Sequence, residues 1–252
     1  MSPFDLAVPT IALGLVVFLI GGTIKGTIGI GMPLFIVPVM ATVIEPITVI
    51  GLLFVPILAT NFLQMIEGGY YRVTLHRFKS LLFSILAATI ISVQILARID
   101  AMTVSLILGC IVAAFCILQL FPLRPTIPKQ LEAYLSPIVG TIAGLLGGVS
   151  TLFGPPLVMY LIALRLPKEE FIATVAQLFF VVGAVLYFTL AVTGALTLEL
   201  VVASAFVTIP VAIGLAIGRK IRKQISREAI FQRVLVAVLL IAGLNLIRRG
   251  LL

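Results

Sequence analysis

Charged side chains and tryptophan are what this sequence has least of. Of its 252 residues, 10% are Asp, Glu, Lys or Arg, 62% are hydrophobic, and none is Trp. Soluble domains carry about 25% charged residues and about half apolar ones, so a soluble globular fold is excluded. The net charge of +8 does not indicate a nucleic-acid partner, because uncharged runs of about 20 residues recur along the whole chain. The sequence therefore predicts a polytopic membrane protein, surrounded by membrane lipid.

Cysteine and histidine are almost absent as well. The two cysteines, Cys110 and Cys116, share one apolar run, and the one histidine, His76, is predicted to lie in a basic surface loop. This set offers neither a disulfide framework nor the ligand spacing of a metal site. No histidine neighbours a nucleophile, and no GxxxxGK[ST] pattern occurs. The prediction is a protein without cofactor or metal that is not an enzyme.

Ten apolar runs divide the chain. Most are long enough to cross about 30 Å of hydrocarbon as helices, but two of them, 31–44 and 155–164, are too short. No Lys or Arg precedes the first run, so it is expected to be a helix of the mature protein rather than a cleaved signal. The runs cover residues 6–24, 31–44, 46–66, 80–97, 101–121, 133–148, 155–164, 171–194, 198–217 and 229–247.

Each short run is joined to the run before it by a stretch rich in glycine and proline. These stretches are GGTIKGTIGIGMP (21–33) and GGVSTLFGPP (147–156). At membrane depth, irregular backbone is tolerated only where protein or a water-filled cavity surrounds it. The sequence thus predicts two helical hairpins with unwound tips enclosed by protein.

The two hairpins also indicate an internal repeat. The glycine pair 21–22 matches 147–148, the segment 31–34 matches 154–157, and three apolar runs follow each hairpin. The predicted organisation is a first repeat over 1–122, a linker over 123–132 and a second repeat over 133–252.

The positive charges set the predicted orientation. Cytoplasmic loops carry the excess of Lys and Arg, and the densest group of these residues lies between 219 and 227. With that group inside, twelve of the seventeen Lys and Arg residues fall in inner loops and three outside. Both termini are then expected outside. Each half has an odd number of spans after its hairpin, so the two repeats are predicted to be inverted.

Inverted repeats with broken helices are typical of secondary transporters. The predicted fold class is an all-α polytopic membrane protein in which each repeat combines a broken or re-entrant hairpin with three transmembrane helices. An anion channel and a membrane subunit of a larger complex remain alternatives. No Asp or Glu lies clearly in the middle of a run, so no carboxylate proton relay is visible.

The hairpin tips are the candidate binding site. The prolines at 33 and 155–156 suit the first turn of a helix, so both short runs are expected to begin there, with their N-termini converging near the midplane. A helix N-terminus carries partial positive charge and free N–H donors, and nearby glycines and hydroxyls complete an anion site. The candidate residues at the tips are Thr23, Gly26, Thr27, Gly29, Gly31, Ser150, Thr151 and Gly154.

Three further polar residues are candidates for the same site. Lys25 is either the counter-charge of an anionic substrate or a residue that caps a cytoplasmic turn and snorkels. Asn61 and Gln177 lie in apolar runs, where an amide either lines the pathway or bonds a neighbouring helix.

The doubled pattern resembles the TauE/SafE family, the 4-toluene sulfonate uptake permease group of sulfite and organosulfonate exporters. LIGGTIKGTIGIGMPLFIVPVM and LLGGVSTLFGPPLVMYLIAL occupy the places where each half of that family opens with a glycine-rich stretch. A Gly-Arg segment also precedes the last run, within IGLAIGRKIRKQISREAIFQRVLVAVLLIAGLNLI. The resemblance spans about residues 8–249, although the family's consecutive glycines are thinned in both halves.

What the resemblance implies is a passive or ion-coupled exporter of small organic or sulfur-containing anions in the bacterial cytoplasmic (inner) membrane. It does not select one anion. A homodimer is left open as its assembly.

Overall fold

The computed structural model describes residues 7–68, 71–96, 98–120, 126–222 and 228–251. Within these ranges every regular element is a helix and none is a strand. The helices are α1 (Val8–Ile28), α2 (Met32–Met40), α3 (Pro46–Leu52), α4 (Phe54–Gly68), α5 (Tyr71–Arg77), α6 (Lys79–Leu96), α7 (Ala101–Leu120), α8 (Lys129–Ser150), α9 (Gly154–Ala163), α10 (Lys168–Val192), α11 (Leu198–Arg222) and α12 (Glu228–Leu251).

The all-α membrane class is confirmed. Among the described residues, five helices are long and apolar enough to cross a membrane, and the bent pair α3–α4 makes a sixth. The predicted runs match the helices closely, with one addition. The short helix α5 was not expected, and His76 lies in it, exposed, rather than in a loop.

The apolar run 46–66 forms two helices instead of one. The chain breaks at Leu53 and bends by 42° between α3 and α4. Pro56 explains the break, because a proline inside a helix lacks an N–H and its ring clashes with the carbonyl four residues earlier, here that of Leu52. The hydrophobic pattern continues through the break, so hydropathy alone does not reveal it.

The helices group into two compact units. The first contains Met1–Pro56, Ile99–Pro122 and Leu196–Leu252, and the second contains Ile57–Arg98 and Leu123–Ala195. Each unit therefore combines segments from both predicted repeats. The repeat boundaries at 122 and 133 concern similarity along the chain and stay a prediction, and residues 121–125 lie outside the described residues.

In the first unit, glycines hold α1 and α11 in direct backbone contact. A Cβ added to Gly22 would lie 2.9 Å from the Cα of Val211, and one added to Gly26 would lie 2.9 Å from the Cα of Gly218. No side chain larger than hydrogen fits there without a backbone shift. Residue numbers increase in the same direction along α1 and α11 from the first of these contacts to the second, so the two helices run parallel.

In the second unit, α8 packs against α6 in the same manner. A Cβ added to Gly144 would lie 2.7 Å from the Cβ of Ala88, and one added to Gly148 would lie 2.7 Å from the Cβ of Ser92. Residue numbers again increase in the same direction along the two helices, so α6 and α8 also run parallel. In the predicted repeat, α1 corresponds to α8 and α11 corresponds to α6. The same parallel, glycine-lined pairing is thus found once in each unit.

Candidate functional site

The first tip, residues 25–33, turns on two glycines. The α1 helix ends at Ile28, and the N–H of Gly29, with φ of 92°, donates to the carbonyl of Lys25 at 2.7 Å. Gly31, with φ of 97°, then caps the start of α2. Both positions need the left-handed backbone that glycine adopts without strain. The first hairpin therefore contains an unwound tip, as predicted. Its second helix begins at Met32-Pro33.

In the second tip, residues 150–156, the left-handed position is a threonine instead of a glycine. The α8 helix ends at Ser150, and Thr151 adopts φ of 61°, a left-handed conformation that is uncommon for a residue with a Cβ. Its N–H donates to the carbonyl of Gly147 at 2.6 Å. Helix α9 then begins at Gly154, followed by two prolines. A strained threonine at a helix break is the kind of backbone that functional sites retain.

The hydroxyls of the tips are engaged with backbone groups. Thr23 donates to the carbonyl of Leu19 at 2.9 Å, and Thr27 donates to that of Thr23 at 2.8 Å. In the second unit, Ser150 donates to the carbonyl of Leu146 and accepts the N–H of Leu152 at 3.1 Å. A hydroxyl that donates to a helix carbonyl must rotate before it can donate to an anion. The role of these hydroxyls as donors to an anion stays a prediction.

Two of the candidate glycines differ in their surroundings. Gly26 lies against the backbone of α11, so its lack of a side chain is required for helix packing. A Cβ on Gly154 would lie 3.6 Å from the ring of Phe179, which is ordinary contact. Gly154 is therefore not needed on steric grounds within the second unit.

The three polar candidates in apolar helices are all buried. Lys25 is 4% exposed in the last turn of α1. In the second unit, Asn61 on α4 is 2% exposed and Gln177 on α10 is 4% exposed. The buried position of Lys25 disfavours the snorkelling alternative, because a snorkelling side chain keeps its ammonium in water or headgroups.

An ion cluster in the second unit was missed from the sequence. The Nε and Nη2 of Arg77 donate to both carboxylate oxygens of Glu132 at 2.8 and 3.0 Å, and Nη1 donates to Glu170 at 3.3 Å. The hydrogen bond with Glu132 is the main reason that the pKa of Arg77 lies above its ordinary value. The arginine ties the end of α5 to the first turns of α8 and α10. Its partners are 55 and 93 residues away in sequence, so no spacing pattern could indicate them.

A second arginine contact secures the short helix of the first tip. The Nη1 of Arg249, at the end of α12, donates to the carbonyls of Ala41 at 3.1 Å and Thr42 at 2.6 Å, directly after α2. A guanidinium at a helix C-terminus satisfies free carbonyls and opposes the negative end of the helix dipole.

The short helix of the second tip has a backbone contact at its end. In the second unit, the N–H of Ile127 donates to the carbonyl of Ala163, at the end of α9, at 3.0 Å.

No group of three or more His, Cys, Asp or Glu side chains that could hold a metal ion occurs within the described ranges. The candidate residues of the first unit therefore offer backbone N–H groups, hydroxyls and the ammonium of Lys25, and those of the second unit offer backbone N–H groups, hydroxyls and two amides.

Residues 13–246, nearly the whole chain, match the protein family described as Sulfite exporter TauE/SafE. No curated protein matches the chain. No solved structure matches it either.

Proposed function

Because this chain belongs to the sulfite exporter TauE/SafE family, a family of membrane exporters, we propose that it is a secondary transporter that exports small anions such as sulfite or organosulfonates by alternating access. The proposal includes the bacterial inner membrane as its location and termini on the outer side. The family supports the location, and the distribution of Lys and Arg supports the orientation.

The first tip is the observation that carries this proposal. The α2 helix begins at Gly31-Met32 within apolar sequence, and Lys25 is buried six residues before its cap. N–H groups in the first turn of a helix lack partners in their own helix and attract anions. An ammonium buried in a membrane helix is a functional candidate by default. Lys25 is proposed to supply the counter-charge and the tip backbone the hydrogen bonds.

The remaining predicted site residues extend the proposal to both units. In the first unit they are the hydroxyls and glycines near Lys25: Thr23, Gly26, Thr27, Gly29 and Gly31. In the second unit they are Ser150, Thr151 and Gly154 at the tip, with Asn61 and Gln177 on the neighbouring helices. That the two tips form one site, and that this site lies at the midplane, are predictions from the sequence.

Efflux from proteoliposomes tests the proposal. Purified protein is reconstituted with labelled sulfite, taurine, sulfoacetate or acetate inside, and the initial efflux rate is measured against internal concentration. We expect saturable efflux of at least one sulfur-containing anion. Lys25→Ala is expected to lower it about tenfold or more, because a charge-assisted hydrogen bond contributes about 1.5–3 kcal/mol.

Lys79→Ala is the matched control, since Lys79 is an exposed lysine at the start of α6. It should retain the wild-type rate. Equal rates in wild type and Lys25→Ala would remove Lys25 from the site. Flux that does not saturate would favour the channel, and no efflux of any anion would favour the membrane subunit.

A further inference from the structure

The basic end of α11 lies beside the first tip. Along the parallel pair α1–α11, a Cβ added to Gly26 would lie 3.0 Å from the backbone nitrogen of Arg219. The hydroxyl of Thr27 lies 3.4 Å from the carbonyl oxygen of Gly218. The last turn of α1 and the last turns of α11 are therefore level with each other.

Both helices continue in the same direction beyond this contact. The α1 helix ends one residue after Thr27, and the chain turns at Gly29 and Gly31. The α11 helix continues four residues past Gly218, to Arg222, which is about 6 Å along its axis. The turn of the first tip and the end of α11 are thus neighbours at one end of this unit.

Three cations occupy that end of α11. Arg219, Lys220 and Arg222 all lie in its last turn and all are exposed. Glu199, the acidic residue of the helix, is in its first turn, about 30 Å away at 1.5 Å per residue. Lys223 and Arg227 continue the basic sequence but lie outside the described residues. The end of α11 that reaches the first tip therefore carries three exposed positive charges, and the carboxylate of this helix lies at the opposite end.

The second tip has a much less basic neighbour in its own unit. There α8 runs parallel to α6, and the hydroxyl of Ser92 donates to the carbonyl of Leu145, so the end of α6 is level with the end of α8. Past that end, the chain carries one arginine, Arg98. The two otherwise similar helix pairs thus differ in charge, three cations against one.

We propose that Arg219, Lys220 and Arg222 form an anion-collecting surface that feeds the first tip. This inference rests on the proposed function and specifies the side of the protein from which the anion enters. Exposed charges beside a site raise the local concentration of a small counter-ion and its rate of association. At low salt the attraction extends about 10–30 Å, enough to reach from these side chains to the turn.

The same packing bears on the depth of the first tip. The α1 helix has 21 residues and is about 31 Å long, which equals the hydrocarbon thickness. Basic residues concentrate at the cytoplasmic face. On this inference a tip level with Arg219 lies near that face, in place of the midplane location predicted from the sequence, and anions inside the cell reach it first. That polarity suits an exporter.

The test uses the charge of the substrate. Uptake is measured into inside-out membrane vesicles at low and high salt, with sulfoacetate (two negative charges), methanesulfonate (one) and taurine (no net charge). For Lys220→Gln and Arg222→Gln we expect KM to rise about fourfold for sulfoacetate and about twofold for methanesulfonate at low salt, with no change for taurine. The differences should vanish at high salt, and Lys220→Arg and Arg222→Lys should retain the wild-type KM.

Arg248→Gln is the matched control, since Arg248 is exposed at the end of α12. Equal KM values for the α11 variants and wild type, with transport intact, would overturn the collecting surface and leave the proposed function standing. A KM effect that disappears in proteoliposomes of neutral lipid would assign the cations to lipid headgroups and likewise overturn it. If wild type transports none of the three anions, the collecting surface is overturned, and the proposed function fails as well if sulfite efflux from proteoliposomes is also absent.

Discussion

The backbone N–H of Val55 donates to the hydroxyl oxygen of Ser204 at 2.8 Å, across 149 residues of sequence. Val55 is in the first turn of α4, where N–H groups have no partner in their own helix. Ser204 lies on α11 and is 0% exposed. Within the first unit, a serine of one helix thus satisfies backbone that the break before Pro56 leaves open, which is how membrane proteins tolerate such breaks.

Replacing Ser204 with Ala is expected to destabilise the protein. The change leaves the Val55 N–H without this acceptor, and an unsatisfied buried donor costs about 1–3 kcal/mol. Thermal unfolding in detergent measures the loss. Ser105→Ala is the control, because the Ser105 hydroxyl donates to the carbonyl of Ala101 in its own helix. Equal melting temperatures for the two variants would refute a role for the inter-helix bond.

Replacing Arg77 with Ala should destabilise the second unit by about 1–2 kcal/mol, because two partly buried carboxylates lose their shared cation. Arg77→Lys should recover only part, since an ammonium cannot reproduce the two parallel bonds to Glu132. A double-mutant cycle with Glu132→Gln, followed by thermal unfolding, isolates the pair. Additive effects of the two changes would contradict the coupling.

Replacing Arg249 with Ala is expected to raise the KM for the exported anion severalfold. The contacts of Arg249 with Ala41 and Thr42 fix the C-terminal end of α2, and the opposite end of that helix begins at the first tip. Efflux kinetics separate KM from the maximal rate. Arg248→Ala, which removes the adjacent exposed arginine, should leave KM unchanged. A KM equal to wild type in Arg249→Ala would show that the cap does not position the tip.

The cap of α7 predicts a pH dependence of stability. The backbone N–H and the hydroxyl of Thr103 both donate to the carboxylate of Asp100, at 2.9 and 2.8 Å, and they lower its pKa from the ordinary value of 3.8. Because the folded pKa is depressed, the stabilisation is present above pH 3.8 and is lost as pH falls through the folded value. Asp100→Ala should therefore melt below wild type at neutral pH, and the difference should close in acid. A difference that persists at the lowest pH would contradict the assignment.

Much of the fold follows from hydrophobic run length. Runs without charge become helices in a membrane because no other open structure satisfies the backbone there. The prolines at 33, 155 and 156 place the starts of α2 and α9 almost to the residue. The break at Leu53 was missed because apolar residues continue on both sides of Pro56, and a proline in a membrane helix is also compatible with a mere kink. The division into two compact units could not be predicted from the sequence, because it depends on which helices, far apart in sequence, pack against each other.

The candidate site was predictable in part. Gly29 and Gly31 were identified from composition, and the structure gives them the left-handed backbone that explains their presence. Gly26 was also selected, yet its place against α11 depends on a helix about 190 residues away. The contacts of Arg77 and Arg249 have the same origin, since long-range partners leave no local pattern. Sequence reasoning thus found the turns and missed the contacts that hold them.

Counterflow in proteoliposomes tests the central claim most directly. Vesicles are loaded with an unlabelled anion for which the efflux measurement shows transport, and a trace of the same anion, labelled, is added outside. A carrier with one alternating site concentrates the label inside transiently. Each unlabelled anion that is carried out leaves the site facing outward, where it binds a labelled anion and carries it in. We predict such an overshoot in wild type, its loss in Lys25→Ala and its retention in Lys79→Ala. Label that only equilibrates, without an overshoot at any loading concentration, would contradict transport by alternating access.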